Sequence, residues 1–171
     1  VRDNVYGNID DDAYRRDFTV NALYYDPTKN IVLDFVNGMQ DLRSRTLRLI
    51  GNPKIRFQED PVRILRGIKF ASRLSIEVEA DTWEAMHAVA ADIQRCAIPR
   101  VTEELYRLAE SRHAEPAFRM LYESGVLAVM APEIAAHVDE NGAAFFMALR
   151  GLDDLGRAHG ELPRPFVITV L

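Results

Sequence analysis

Two carboxylates and two guanidinium groups recur at helical spacing in the segment QEDPVRILRG, residues 58–67. Glu59 lies four residues before Arg63, and Arg66 follows three residues later. Asp60 is also three residues from Arg63, so all four side chains can meet on one stripe of a helix. A carboxylate beside a guanidinium matches the hydrogen-bonding edge of a nucleobase where water is excluded. The same spacing suits ion pairs on a solvated surface, each worth about 0–1 kcal/mol, so the stripe alone leaves both interpretations open.

A second polar group stands in RRDFTVNAL, residues 15–23, at the start of an apolar segment. Arg15 and Arg16 carry guanidinium groups, which bind phosphates bidentately. Asp17 offers only acceptor oxygens, which suit a ribose hydroxyl or a metal ion. Asn21 is four residues further on and would share a face with Asp17 in a regular strand. The alternative is an edge strand with a solvated polar face.

The other residues capable of chemistry give weaker indications of a site. Asp10 and Asp12 have the spacing of a paired-carboxylate metal site, but the run DDD has no strand before it and is typical of a solvated loop. Cys96 is the single cysteine, which excludes an internal disulfide and a cysteine-based zinc site. The histidines are scattered without metal-ligand spacing: His87, His113, His137 and His159. There is no glycine-rich phosphate loop and no nucleophile elbow.

The elements that carry these residues change character near residue 53. Residues 18–36 combine aromatic and β-branched residues on either side of the turn PTKN, which predicts a β-hairpin. The stretch RTLRLIG, residues 45–51, predicts a third strand. Beyond it strand patterns stop and helical periodicity begins. We therefore predict an α+β fold, with the strands in residues 1–52 and an all-α region in residues 53–171.

The first helix of the all-α region is predicted over residues 58–74. Its apolar positions are Val62, Leu65, Ile68, Ala71 and Leu74. Gly67 costs about 1 kcal/mol of helix stability relative to Ala, which predicts the close approach of another group. Further helices are predicted near residues 81–95, 101–111 with Thr102 as N-cap, 115–125 ending at Gly125, and 142–157, with a short turn before Pro132. The predicted core contains Leu65, Ile68, Leu74, Trp83, Leu105, Leu108, Phe118 and Leu121.

The charge of the chain is unevenly distributed. The 171 residues carry a net charge of −5, with 48% hydrophobic and 27% charged residues. Residues 43–73 nevertheless hold nine Lys or Arg against two Asp or Glu, a local excess that suits phosphate or nucleic acid as well as a solvated basic surface. No apolar run is long enough for a membrane span, and the first residues are polar. We expect a cytoplasmic protein with no membrane partner, and both ends have the character of cuts through a longer protein.

Three motifs, in this order, resemble a known family. RRDFTVNAL resembles the second motif of the class II nucleotidyltransferases, which comprise bacterial poly(A) polymerases and tRNA CCA-adding enzymes. DFVNGMQDLRSRTLRLIGNP resembles their linking segment, and RFQEDPVRILRGIKFASRL their nucleotide-reading helix. The resemblance covers residues 1–75 and is closer to the poly(A) polymerases. It implies that residues 1–52 are the C-terminal part of a head domain and residues 53–171 a helical neck and body that bind the base and RNA.

The resemblance also implies an activity. Members of the family transfer a nucleoside monophosphate from a nucleoside triphosphate to an RNA 3′ hydroxyl, with two Mg²⁺ ions held by an aspartate pair. The expected reaction is addition of AMP from ATP to an RNA 3′ end; CCA addition to tRNA and a non-catalytic RNA-binding module are the alternatives. That aspartate pair lies upstream of the matched motifs in the family, so we expect no metal ligands in this chain and no activity from it alone.

Roles for individual residues follow from the same resemblance. Asp17 would contact the ribose, with Arg16 and Asn21 near the sugar or phosphates. The base would be read by Glu59, Asp60, Arg63 and Arg66, and Asp60 is also the candidate for a further catalytic carboxylate. Residue 67 is Gly where the family pattern favours Ala.

Overall fold

The computed structural model describes residues 8–160 and 162–164, and its architecture is α+β as predicted, with helices in the majority. The helices are, in chain order, α1 (Ile9–Arg15), α2 (Gly38–Ser44), α3 (Pro53–Glu59), α4 (Val62–Leu74), α5 (Ala80–Ala88), α6 (Ile98–Ala109), α7 (Ala114–Glu123), α8 (Val126–Met130) and α9 (Pro132–His159). Short 3₁₀ helices cover Thr19–Asn21 and Ala90–Arg95. Within these residues every helix is too short or too polar to cross a lipid bilayer.

The strands are shorter than the sequence predicted. The hairpin is confirmed as β1 (Leu23–Asp26) paired antiparallel with β2 (Ile31–Asp34). Its first strand begins only at Leu23, because the Asn21 side chain accepts a hydrogen bond from the Phe18 backbone N–H at 3.3 Å and closes a 3₁₀ turn instead. The predicted third strand is reduced to β3 (Thr46–Leu47).

A strand also occurs in the part of the chain predicted to be entirely helical. β4 (Glu77–Val78) pairs in parallel with β3. Backbone N–H groups of Glu77 and Glu79 donate to the carbonyls of Arg45 and Leu47, both at 2.9 Å. Two residues are too few to show an alternating pattern in the sequence, so only the long-range pairing reveals this strand.

Helix α4 follows its predicted apolar pattern except at its end. Val62, Leu65, Ile68 and Ala71 are all 1% exposed or less, whereas Leu74 is 42% exposed and was wrongly placed in the core. The helix ends immediately after Leu74, where Ser75 adopts a left-handed conformation and turns the chain away.

Other helix ends differ from the predicted ones. Helix α3 was not predicted; Pro53 occupies its first turn and the Asn52 side chain caps it by accepting from Ile55 N–H at 3.2 Å. Helix α6 begins after Ala97, so Thr102 lies inside the helix and is not its N-cap. Pro132 begins helix α9, in which Asn141 has non-helical backbone angles. The run DDD lies in helix α1, where a loop was predicted.

One continuous apolar core joins the strand region to the helices. Phe18, Leu47 and Leu49 belong to the same buried cluster as α4, α5 and the helices that follow. Of the predicted core residues, Leu65, Ile68, Leu108, Phe118 and Leu121 are fully buried, and Trp83 and Leu105 pack against the cluster while partly exposed. Division at residue 52 remains a prediction, since this core crosses it.

The close approach predicted at Gly67 is core packing. A Cβ atom at residue 67 would lie 2.6 Å from Met86 Cε and 2.8 Å from Phe18 Cζ. The methionine end is flexible, but the Phe18 ring is rigid and fully buried. The glycine is therefore needed for contact between α4 and its neighbours.

We expect Gly67→Ala to lower the free energy of unfolding by about 1–2 kcal/mol, because overpacking outweighs the gain in helix propensity. The matched control is Gly151→Ala in α9, where an added Cβ meets no atom within 4 Å, so that change should stabilise the protein by up to about 1 kcal/mol. Urea unfolding followed by circular dichroism measures both. A stabilised Gly67→Ala variant would contradict the packing argument.

Candidate functional site

Asp17 joins the two polar motifs. Arg63 Nε donates to Asp17 Oδ1 at 2.8 Å, and Arg66 Nη2 lies 2.8 Å from Asp17 Oδ2. The Asp17 backbone is fixed as well, because its carbonyl accepts from Ile50 N–H at 2.8 Å. The Asp17 and Arg63 side chains are only 15% and 14% exposed. The strand region therefore orients Arg63 and Arg66 from outside helix α4.

Asp60 lies between helices α3 and α4, with an extended backbone that ends the first helix. Its Oδ2 accepts from Arg100 Nη2 at 2.8 Å and lies 3.5 Å from Arg66 Nη2. Its Oδ1 is buried and has no hydrogen-bond partner among the described residues. Burial alone would raise the pKa of this carboxyl, but the hydrogen bond and charge of Arg100, with the charges of Arg66 and Arg63, hold the pKa below the usual aspartate value.

Glu59 stands at the edge of the cluster. Its Oε2 lies 3.4 Å from Arg56 Nη1 and 3.5 Å from Arg63 Nη1, and its side chain is 53% exposed. Arg63 Nη1 also donates to the Arg56 carbonyl at 2.7 Å. The predicted stripe is thus brought together, with Asp60 inside it and Glu59 towards solvent.

Arg16 and Asn21 point away from this cluster. Arg16 Nη2 donates to Asp12 Oδ2 at 2.9 Å, and Tyr24 Oη donates to the same oxygen at 2.6 Å. Asn21 closes its own turn, so the predicted shared strand face with Asp17 is wrong. Contact of Arg16 or Asn21 with a nucleotide stays a prediction.

Two arginines of the site were missed from the sequence. Arg56 Nη2 donates to the carbonyls of Arg15 and Arg16, at 3.1 and 2.9 Å, and so attaches helix α3 to the segment before Asp17. Arg100 lies forty residues from its partner Asp60. The sequence does indicate that Arg56 can pair with Glu59, which is three residues later. Nothing near Arg100 in the sequence indicates that it pairs with Asp60.

Known protein families match both the strand region and the helical region of the chain. A family model described as "Poly A polymerase head domain" matches residues 2–48, and one described as "Probable RNA and SrmB- binding site of polymerase A" matches residues 75–138. Poly(A) polymerase I of Escherichia coli O157:H7 is 38% identical over 142 residues, which are 83% of this chain and 30% of that protein. The CCA-adding enzyme of Oceanobacillus iheyensis is 39% identical over 116 residues, 68% of this chain and 29% of that protein.

The chain belongs to the family of bacterial poly(A) polymerases and CCA-adding enzymes. It spans less than a third of the length of these curated relatives. Solved structures agree: a CCA-adding enzyme in complex with ATP is 28% identical with a TM-score of 0.75, over 95% of this chain and 40% of that one. The Thermotoga maritima CCA-adding enzyme complexed with tRNA is 28% identical, with a TM-score of 0.74 over the same shares.

In this family member a partly buried polar network holds the strand region against the helices. Thr19 Oγ1 donates to Asp41 Oδ2 at 2.7 Å, and Arg48 Nε donates to the same oxygen at 3.2 Å. Arg48 also pairs with Glu79, which accepts from Thr82 Oγ1 at 2.8 Å. These bonds connect the turn after Asp17 to helix α5, so they support the position of Asp17 relative to α4.

The carboxylates near the site are paired with arginines or lie apart from one another. No group of three or more His, Cys, Asp or Glu side chains suited to a metal ion occurs in residues 8–160 and 162–164. Both oxygens of Asp17 are held by arginines. Asp10 and Asp12 are two residues apart on helix α1 and face different directions, and Asp12 is paired with Arg16.

Proposed function

We propose that this chain supplies the base-binding site of an RNA nucleotidyltransferase that adds AMP from ATP to RNA 3′ ends, as a poly(A) polymerase does. The observation that carries the proposal is the arrangement around Asp60. One buried acceptor oxygen has no partner in the described chain, and it lies beside arginines fixed by Asp17. Such a preset acceptor and donor pair suits the edge of a base.

The chemistry of the pair selects among the four bases. Adenine and cytosine each present an amino donor next to a ring-nitrogen acceptor, whereas guanine and uracil present a carbonyl next to a ring N–H. We propose that Asp60 Oδ1 accepts from the amino group while Arg63 or Arg66 donates to the ring nitrogen. Guanine or uracil would place a carbonyl against the Asp60 carboxylate and leave buried polar groups unpaired. A site built from such groups therefore binds these two bases much more weakly.

The remaining predicted residues support the binding of the nucleotide. Asp17 orients the two arginines and contacts the ribose, Glu59 restrains Arg63, and Arg16 and Asn21 lie on the side of the sugar and phosphates. A lowered pKa makes Asp60 a weak proton acceptor. We therefore assign its carboxylate to hydrogen bonding with the base and not to proton transfer.

ATP and an RNA 3′ end are the proposed substrates. Two Mg²⁺ ions, when bound, would activate the RNA hydroxyl and stabilise the pyrophosphate. The described carboxylates do not fit such ions, because Asp17 and Asp60 are paired with arginines. Addition of AMP is favoured over CCA addition because the match to poly(A) polymerase I covers 83% of the chain and the match to a CCA-adding enzyme covers 68%.

Primer extension by the full-length protein tests the proposal, with each nucleoside triphosphate offered alone and in mixture with Mg²⁺. We expect long tails from ATP alone and little incorporation of GTP or UTP. Short addition that requires CTP and ATP on a tRNA without its terminal residues would identify a CCA-adding enzyme. Absence of extension with retained RNA binding would identify a non-catalytic RNA-binding module.

A further inference from the structure

Arg56 caps the end of helix α1 from the neighbouring helix α3. Its Nη2 donates to the carbonyls of Arg15 and Arg16 at 3.1 and 2.9 Å, and its side chain is only 19% exposed. The last carbonyls of a helix have no partner inside that helix, and an arginine side chain can satisfy them. Because Arg56 comes from a different helix, this cap also joins α1 to α3.

The residue that follows this cap is Asp17, and its backbone is held on both sides. Ile50 N–H donates to the Asp17 carbonyl at 2.8 Å, which fixes the chain after Asp17. Arg16 N–H donates within its own turn, to the Ala13 carbonyl at 3.2 Å, so this bond does not attach the chain before Asp17 to another element. Arg56 provides that attachment. Loss of its side chain would therefore release the preceding side of Asp17 from α3.

Arg56 and Asp17 are also connected through Arg63. Arg63 Nε donates to Asp17 Oδ1 at 2.8 Å, and Arg63 Nη1 donates to the Arg56 carbonyl at 2.7 Å. Together with the bond from Arg56 to the Arg16 carbonyl, these contacts form a closed ring. Substitution of the Arg56 side chain removes the bond to Arg16 and keeps the bond from Arg63, which uses the Arg56 backbone. A change at Arg56 therefore affects the position of Asp17 and leaves both contacts of Arg63 possible.

Helix capping alone does not account for the burial of this guanidinium group. Arg56 Nε is buried and has no hydrogen-bond partner among the described residues. Its ion pair is with the exposed Glu59 side chain, at 3.4 Å. A buried donor without a partner lowers the stability of the fold, and natural proteins keep such features mainly at functional sites. The burial of Arg56 therefore points to a part in the site that Asp17 belongs to.

We propose that Arg56 is a positioning residue for sugar selection: it fixes the backbone before Asp17, so that the Asp17 carboxylate can accept a hydrogen bond from the ribose 2′ hydroxyl. The inference rests on the proposed function, which places the ribose at Asp17. Each carboxylate oxygen can accept two hydrogen bonds, so its contacts with Arg63 and Arg66 leave Asp17 able to accept another. Deoxyribose has no donor at this position. If Asp17 is displaced, ribose loses its advantage over deoxyribose.

The test measures binding of ATP, 2′-deoxyATP and GTP to the full-length protein by calorimetry, with Arg56→Gln and Arg56→Lys as variants. Arg56→Gln removes the guanidinium group, whereas the ammonium group of Arg56→Lys can still donate to one of the two carbonyls. The matched control is Arg157→Gln. Arg157 donates to the Arg112 carbonyl at 2.9 Å and pairs with Asp154 at 2.7 Å, so it makes the same kinds of contact on other elements.

We expect the ratio of Kd for 2′-deoxyATP to Kd for ATP to fall about fivefold in Arg56→Gln and about twofold in Arg56→Lys, as for one weakened hydrogen bond. The ratio of Kd for GTP to Kd for ATP should remain unchanged, because Arg63 keeps its contacts. Loss of folded protein cancels in both ratios.

Three results would overturn the inference and leave base binding intact: an unchanged sugar ratio in Arg56→Gln, an equal decrease in Arg157→Gln, or no preference for ATP over 2′-deoxyATP in the unmodified protein. An equal decrease of the sugar and base ratios would also overturn it, because Arg56 would then support the whole site. Failure of the unmodified protein to bind ATP would overturn the proposed function, and the inference with it.

Discussion

Asp17→Ala is expected to lower the free energy of unfolding by about 3 kcal/mol, because it leaves two largely buried guanidinium groups without their shared partner. Arg63 loses its 2.8 Å bond from Nε, and Arg66 loses its shortest ion pair. For a chain of this size the loss corresponds to a decrease in Tm of about 6–12 °C. Urea unfolding and thermal scans measure both quantities.

Asp11→Ala is the matched control for this change, because Asp11 is exposed on the neighbouring helix α1 and should alter stability by no more than about 0.5 kcal/mol. A second arm adds Arg63→Met to Asp17→Ala. Removing the charge together with its partner should recover part of the lost stability, since an apolar side chain of similar length needs no counter-ion. A loss below about 1 kcal/mol for Asp17→Ala would show that Asp17 is not the residue that holds these arginines.

The clustering of the charged stripe was predictable because its residues are close in sequence. Glu59, Asp60, Arg63 and Arg66 lie within eight residues of one another, so they remain neighbours even though Asp60 interrupts the helix between α3 and α4. The sequence could not show which of them is buried. Asp60 differs from the exposed Glu59 because Arg100, forty residues away in helix α6, neutralises its charge.

The strand region was predicted less well, for a different physical reason. The stretch from Phe18 to Leu23 has the composition of a strand, but the Asn21 side chain bonds the backbone and stabilises a turn. Such competition between a side chain and the sheet depends on local hydrogen-bond geometry, which composition does not encode. The same turn places Asp17 against α4, so the error in the strand concealed the contact that organises the site.

Gly67 shows how one residue can support two interpretations. The sequence predicted the close approach of another group at this glycine, and the packing shows that Phe18 and Met86 are the groups that approach it. A missing Cβ indicates that another group lies close to the helix, but only the tertiary structure shows which group it is.

Asp60→Asn is expected to weaken ATP binding by about ten- to a hundredfold, because it removes a charge-assisted hydrogen bond worth about 1.5–3 kcal/mol. It should also relax selectivity. An amide can turn its NH₂ group towards the carbonyl of guanine or uracil, which the carboxylate repels. The ratio of kcat/KM for ATP to that for GTP should therefore decrease, in addition to the decrease for ATP itself.

The selectivity ratio is the decisive quantity for Asp60. Asp60→Asn also weakens the ion pair with Arg100, so it destabilises the fold and lowers the concentration of active protein. That loss affects ATP and GTP equally and cancels in the ratio. Asp92→Asn provides the control, since Asp92 pairs with Arg95 at 3.3 Å on another element and should leave the ratio unchanged. If Asp60→Asn lowers activity with all nucleotides in equal proportion, Asp60 acts only by supporting Arg66 and Arg100, and another residue reads the base.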